Sequence, residues 1–106
     1  MTEALLEAVS AIARDAGRLA MNHWRGAFEQ WEKSPGNPVS EVDLAVDAML
    51  HIRLAELDPE AGWLSEETAD DRARLKTGRH FVVDPIDGTR AFREGRSTWC
   101  VSVALV

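Results

Sequence analysis

Two carboxylates three residues apart, Asp84 and Asp87, stand in the string FVVDPIDGTRAF that runs from Phe81 to Phe92. Phe81, Val82 and Val83 are the aromatic and β-branched residues of a buried strand. Pro85 has no N–H for a sheet ladder, so the strand is expected to end there with Asp84 at its lip. Asp87-Gly88 reads as a turn, and Thr89 as the cap of a short helix through Arg90, Ala91 and Phe92. At about 5 Å and an effective dielectric near 20, two such charges repel by about 3 kcal/mol, a cost that a bound cation removes. Oxygen-only ligands (carboxylates, a backbone carbonyl, a hydroxyl) suit Mg²⁺, Mn²⁺ or Ca²⁺ rather than zinc. The N–H groups of Gly88 and Thr89, opening a helix, would receive an anion. A metal beside amide donors is what a phosphate ester requires. The same string has a purely structural account, a strand–turn–helix corner whose acids only cap and turn.

Glu66-Glu67 supplies a second acidic pair, after the short apolar run Gly62-Trp63-Leu64-Ser65. Two strand ends finishing in carboxylates can meet at one edge of a sheet. WLSEE followed by VVDPIDGTRAF resembles the inositol monophosphatase family of Mg²⁺-dependent, lithium-sensitive phosphomonoesterases. That family also holds 3′(2′),5′-bisphosphate nucleotidases, a histidinol-phosphatase branch and fructose-1,6-bisphosphatases.

The resemblance implies roles for the matching positions. Glu66, Asp84 and the carbonyl of Ile86 would hold one Mg²⁺, and Asp84 with Asp87 a second. Two or three Mg²⁺ per site are implied, with Mn²⁺ as a substitute. Gly88 and Thr89 would bind the phosphate. Asp43 with Thr89 would orient and deprotonate the attacking water, beside the metal ligand Glu66. Glu67 would stand behind the ligands. Lys33 is the nearest match to a lysine that faces the metals, and reads equally well as an exposed strand-end lysine. The implied substrate is a small phosphorylated metabolite: an inositol phosphate, a 3′(2′),5′-bisphosphate nucleotide or histidinol phosphate. The DGTRAF variant leans toward the nucleotidase-like and histidinol-phosphatase-like branches.

Several elements must position these groups. Thr2 to about Gly26 has Leu5, Val9, Ile12, Ala13, Ala16, Leu19, Ala20 and His23 at helical spacing, with Thr2 as N-cap. Phe28 to Lys33 and Val39 to Val42 read as a hairpin around the loop Ser34-Pro35-Gly36-Asn37-Pro38. Ser40 to Asp43 forms a capping box before a helix from about Asp43 to Leu57, whose apolar face is Val46, Met49, Leu50, Leu54 and Leu57. Asp43 thus has a complete structural explanation beside the catalytic one that the resemblance implies. His51 is expected at the surface. Residues 68–78, with Asp70, Asp71, Arg72, Arg74 and Lys76, form a solvated charged loop. Arg90, Arg93 and Arg96 either add positive potential toward an anion or simply face solvent.

The 106 residues suit one domain, and the formal net charge of −6 argues against binding a nucleic acid polymer. No apolar run reaches a membrane span, and the N-terminus lacks a signal-peptide layout. The one cysteine, Cys100, is expected to be buried and inert in a reducing cytoplasm. The final WCVSVALV reads as a central strand with two apolar faces. The fold that the resemblance implies is α+β, a layered α/β sandwich of the sugar-phosphatase type. It has two long helices on a mostly antiparallel sheet, and the chain matches the N-terminal half only. A homo-oligomer, a dimer by resemblance, is expected, since that strand needs cover. A calcium-binding EF-hand loop fails, because counting from Asp84 puts Gly95 where a glutamate is required. The alternative class is a truncated relative that binds metal or a partner without turnover.

Overall fold

The computed structural model describes residues 2–70 and 72–106, so Asp71 of the charged loop lies outside the described residues. The arrangement is α+β, with two long helices packed on one face of a three-stranded sheet.

Helix α1 (Glu3–His23) begins where the Thr2 hydroxyl accepts the Leu5 N–H, as the sequence predicts. Its buried stripe is Val9, Ile12, Ala16 and Ala20. The helix stops three residues before the expected Gly26. Arg25 turns left-handed, with φ 65°, and its guanidinium lies 4.1 Å above the Trp24 ring. His23, assigned to the apolar face, is exposed.

Strands β1 (Gln30–Ser34) and β2 (Asn37–Ser40) form the predicted antiparallel hairpin, with boundaries shifted from those expected. The reason lies at Ser40. Its side chain accepts the Asp43 N–H and its own N–H donates to the Asp43 carboxylate. This capping box ends β2 at Ser40 rather than at Val42 and starts α2 (Glu41–Leu57) two residues early. Val42, Val46, Leu50 and Leu54 repeat every four residues and are buried, with Met49 and Leu57 packed at their margin.

The main sheet has the order β3 (Gly62–Ser65), β4 (His80–Asp87), β5 (Cys100–Leu105). β3 runs parallel to β4, and β5 antiparallel to it. The sheet is therefore mixed; antiparallel pairing prevails only when the hairpin is included. A parallel pair needs a long crossover, which residues 66–79 supply, including a 3₁₀ turn at Ala73–Lys76. Phe81 and Val83 point into the helices, so Val82 and Asp84 face the other side.

Among the described residues β5 pairs with β4 alone. Val101, Val103 and Leu105 pack on the core, while Cys100, Ser102 and Ala104 are exposed. Cys100 is thus an accessible thiol, against expectation, because the alternation places it on the uncovered face. Among the described residues no helix is long and apolar enough to cross a membrane.

Candidate active site

The acidic corner is built by a bulge. Asp84 pairs with Ser102 and Asp87 with Cys100, so three steps along β4 match two along β5. In a regular strand, residues three apart point to opposite faces. The extra residue cancels this and brings Asp84 and Asp87 to one face, the side away from the helices. Pro85 therefore does not end the strand, as the sequence suggested. It sits buried in the bulge, where the ladder asks for no N–H.

Gly88 follows in the left-handed region, φ 93°, and a Cβ there would meet the Thr98 carbonyl at 2.7 Å. It occupies the cap position of the five-residue helix α3 (Thr89–Arg93), with no side-chain cap. Thr89 is consequently the first helical residue and not the cap. Its hydroxyl lies 2.7 Å from Asp43 Oδ1 and 3.0 Å from the Ile86 carbonyl oxygen. Asp43 is almost wholly buried, and its other oxygen accepts from Ser40 N–H at 2.8 Å and Ser40 Oγ at 2.6 Å. The Asp43 carboxylate thereby accepts the hydrogen bond of the Thr89 hydroxyl, which leaves the lone pairs of that oxygen for a group in the pocket.

The parallel register sets Ser65 beside Val83, and the Glu66 N–H bonds Val83 O at 3.1 Å. Glu66 therefore emerges next to Asp84. Lys33 from the hairpin reaches across, donating to the Glu66 carbonyl at 3.1 Å and the Glu67 carboxylate at 2.9 Å. Lys33, Glu66, Glu67 and Asp84 line a cavity of about 260 Å³ with Ile86, Gly88, Thr89 and Arg90. Arg90 is exposed yet belongs to the wall, donating to the Gly36 carbonyl at 3.3 Å. Arg93 and Arg96 instead pair with Glu32 and Glu94.

Asp84 records the crowding of charge. Partial burial, then the charges of Asp87, Glu66, Glu67 and Asp43, push its carboxyl up to about 6. Burial also raises Glu67, against the pull of Lys33. A divalent cation would reverse the penalty on Asp84, and the carboxylates of Glu66 and Asp84 with the Ile86 carbonyl offer the oxygen ligands that a hard cation prefers.

The structure thus brings Glu66, Glu67, Asp84, Ile86, Gly88, Thr89 and Lys33 to one cavity, with Asp43 behind Thr89. Asp87 is exposed and lines a neighbouring recess with Gly88, Thr98 and Cys100. Among the described residues, no three acidic, histidine or cysteine side chains are gathered closely enough to hold a metal. Sequence reasoning missed Asp47, Ser65 and Thr68, the two hydroxyls of which both donate to the Asp47 carboxylate beside the acidic pair. The signal was present: Asp47 is an acid in the buried stripe of α2, one turn after Asp43.

The profile of the inositol monophosphatase family matches residues 1–106. A Streptomyces griseus protein named glucose-1-phosphate thymidylyltransferase is 40% identical over 94 residues, 89% of this chain and 36% of that protein. The 3′(2′),5′-bisphosphate nucleotidase CysQ of Salmonella typhimurium is 33% identical over 105 residues, 96% of this chain and 43% of that protein. The solved extragenic suppressor protein suhB from Bartonella henselae has a TM-score of 0.84 and 28% identity, covering 97% of this chain and 39% of that chain. The chain spans less than half the length of each of these relatives.

Proposed function

The chain belongs to the inositol monophosphatase family, whose members are phosphatases, and we propose that it carries the metal-binding and water-activating side of a Mg²⁺-dependent phosphomonoesterase site. One observation carries this reading. The bulge turns Asp84 and Asp87 to one face, and Asp84 shares with Glu66 the cavity on which the Asp43-bound Thr89 hydroxyl opens.

Glu66, Asp84 and the Ile86 carbonyl would hold one Mg²⁺ (or Mn²⁺), and Asp84 with Asp87 a second. When bound, such cations lower the pKa of water and neutralise charge on the ester. The residues of the chain do the rest. Thr89 Oγ1 accepts the proton of the attacking water as its own proton moves along the existing hydrogen bond to Asp43 Oδ1, so that the buried carboxylate ends protonated. The N–H groups of Gly88 and Thr89 orient the phosphate oxygens. Lys33 keeps the Glu66–Glu67 turn against the hairpin. Arg90, on the wall with no carboxylate partner among the described residues, favours substrates with a second anionic group. Together with the nucleotidase relative, this leads us to a 3′(2′),5′-bisphosphate nucleotide, ahead of an inositol phosphate or histidinol phosphate. A cytoplasmic homo-oligomer belongs to the same proposal.

The test is phosphate release by the complete gene product, with and without Mg²⁺. The substrates are 3′-phosphoadenosine 5′-phosphate, inositol 1-phosphate, histidinol phosphate, and glucose 1-phosphate with dTTP. Mg²⁺-dependent release, greatest from the bisphosphate, is the expected result. Nucleotidyl transfer without phosphate release would overturn it. The absence of a three-acid group among the described residues favours a second reading, a metal-binding relative without turnover. Cation binding with no hydrolysis of any ester would select that one. The 106-residue chain alone is expected to bind cation and release little phosphate.

A further inference from the structure

We propose that Asp47 is a positioning residue that clamps the Glu66–Glu67 turn from both sides and so sets the stance of the acids facing the cavity. The inference rests on the phosphatase reading of that cavity. Asp47 lies on α2, one turn beyond Asp43, and is 8% exposed. Ser65 Oγ donates to its Oδ1 and Thr68 Oγ1 to its Oδ2. Ser65 immediately precedes the acidic pair and Thr68 immediately follows it, so a single carboxylate brackets Glu66 and Glu67. Ser65 Oγ then accepts the Glu67 N–H at 3.2 Å, which extends the clamp to the backbone of the pair.

The residue type matters. A buried carboxylate with only hydroxyl partners is a costly choice where an apolar side chain would pack. Both of its oxygens accept at once, so both hydroxyl protons turn toward α2. The Ser65 proton is thereby kept away from the Glu67 N–H, which meets a lone pair of Ser65 Oγ. An asparagine offers one acceptor and one donor, so one of the two hydroxyls must reverse. Lys33 holds the same turn from the opposite side, through the Glu66 carbonyl and the Glu67 carboxylate. The turn is therefore fixed between a rigid helix and the hairpin, and Glu66 has little freedom to leave Asp84.

The test compares Asp47→Asn, Asp47→Glu, Ser65→Ala and Thr68→Val in the 106-residue chain. Mn²⁺ binding is read by paramagnetic resonance, and amide hydrogen exchange is followed at Glu67 and in the α1–α2 core. Removing a partner that orients a ligand weakens metal binding about 10–100-fold. Asp47→Asn is expected to lose at least tenfold in Mn²⁺ affinity and to exchange faster at Glu67, with core protection unchanged. Asp47→Glu, which keeps two acceptors, is expected to recover most of the affinity. Wild-type binding within twofold in Asp47→Asn, with Glu67 exchange unaltered, overturns the proposal. If Asp47→Asn also loosens the core, Ser65→Ala and Thr68→Val decide: weakened binding supports the clamp and unchanged binding overturns it. A wild-type chain that takes up no Mn²⁺ overturns the reading of this cavity as a cation site, and the clamp with it, whereas the phosphatase reading stands or falls on phosphate release by the complete gene product.

Discussion

Asp84 is where charge and burial meet. Its folded-state carboxyl is pushed up to about 6 from an ordinary 3.8, first by partial burial and then by the surrounding carboxylates. Between about pH 4 and 6 the folded chain therefore holds more protons than the unfolded chain, and stability falls as pH rises. Above that window the penalty is complete. A rise of this size is worth about 3 kcal/mol, but Asp84 is only half-buried, and solvent screening reduces the expectation to about 1 kcal/mol. Asp15, Asp58 and Asp70 act with the opposite sign. Arg53, Arg79 and the Arg72 amide with Arg74, respectively, hold them below their ordinary value. The informative quantity is the difference between wild type and Asp84→Asn in urea denaturation with EDTA present. The variant should gain about 1 kcal/mol relative to wild type between pH 4 and 7, and a difference that stays constant would contradict the assignment. Asp43 makes a second prediction. Asp43→Ala loses the capping box and the Thr89 bond and should cost about 2 kcal/mol of stability. Asp43→Asn should retain most of that stability yet lower turnover of the complete protein at least 100-fold. Equal activity in Asp43→Asn would leave Asp43 with a capping role alone. The sequence could not separate these roles, because one residue performs both: one oxygen closes the box and the other meets Thr89.

The bulge in β4 is the element that converts a sequence spacing into a site. Its partner residues Asp84 and Asp87 were legible as chemistry from DPIDGT alone, but the means of bringing them to one face was not. A proline in a strand-like run signals either a strand end or a bulge, and only the pairing with β5 decides between them. The same holds for Thr89, which looked like a cap until Gly88 took that position with a positive φ. This turn predicts a contrast between two glycines. Gly88→Ala combines a left-handed backbone with a backbone carbonyl 2.7 Å from the new methyl, and should cost about 2–3 kcal/mol. Gly36→Ala has a similar φ of 76° but open space around it, and should cost about 1 kcal/mol. Thermal denaturation of the two variants measures this, and equal losses would mean that the close approach at Thr98 is unimportant. The hairpin was legible from its loop composition. That Lys33 spans to both glutamates was not, since 33 residues separate Lys33 from Glu66.

At the scale of the molecule, helical periodicity revealed both long helices, because one face of each must be buried. Val9, Ile12, Ala16, Val46, Leu50 and Leu54 all lie where that pattern puts them. Strand context was harder to read. Two apolar faces marked β5 as a strand that needs cover on both sides, and within these residues one side, with Cys100, is exposed. The parallel pairing of β3 with β4 was hidden, although it is what delivers Glu66 beside Asp84. The central claim is that these strand ends form a divalent-cation site. Calorimetric titration of Mg²⁺ into the 106-residue chain and its Asp84→Asn and Glu66→Gln variants tests it most directly. The account predicts saturable binding by wild type that is weakened at least tenfold in each variant. No binding by wild type, or binding that both variants retain, would contradict it.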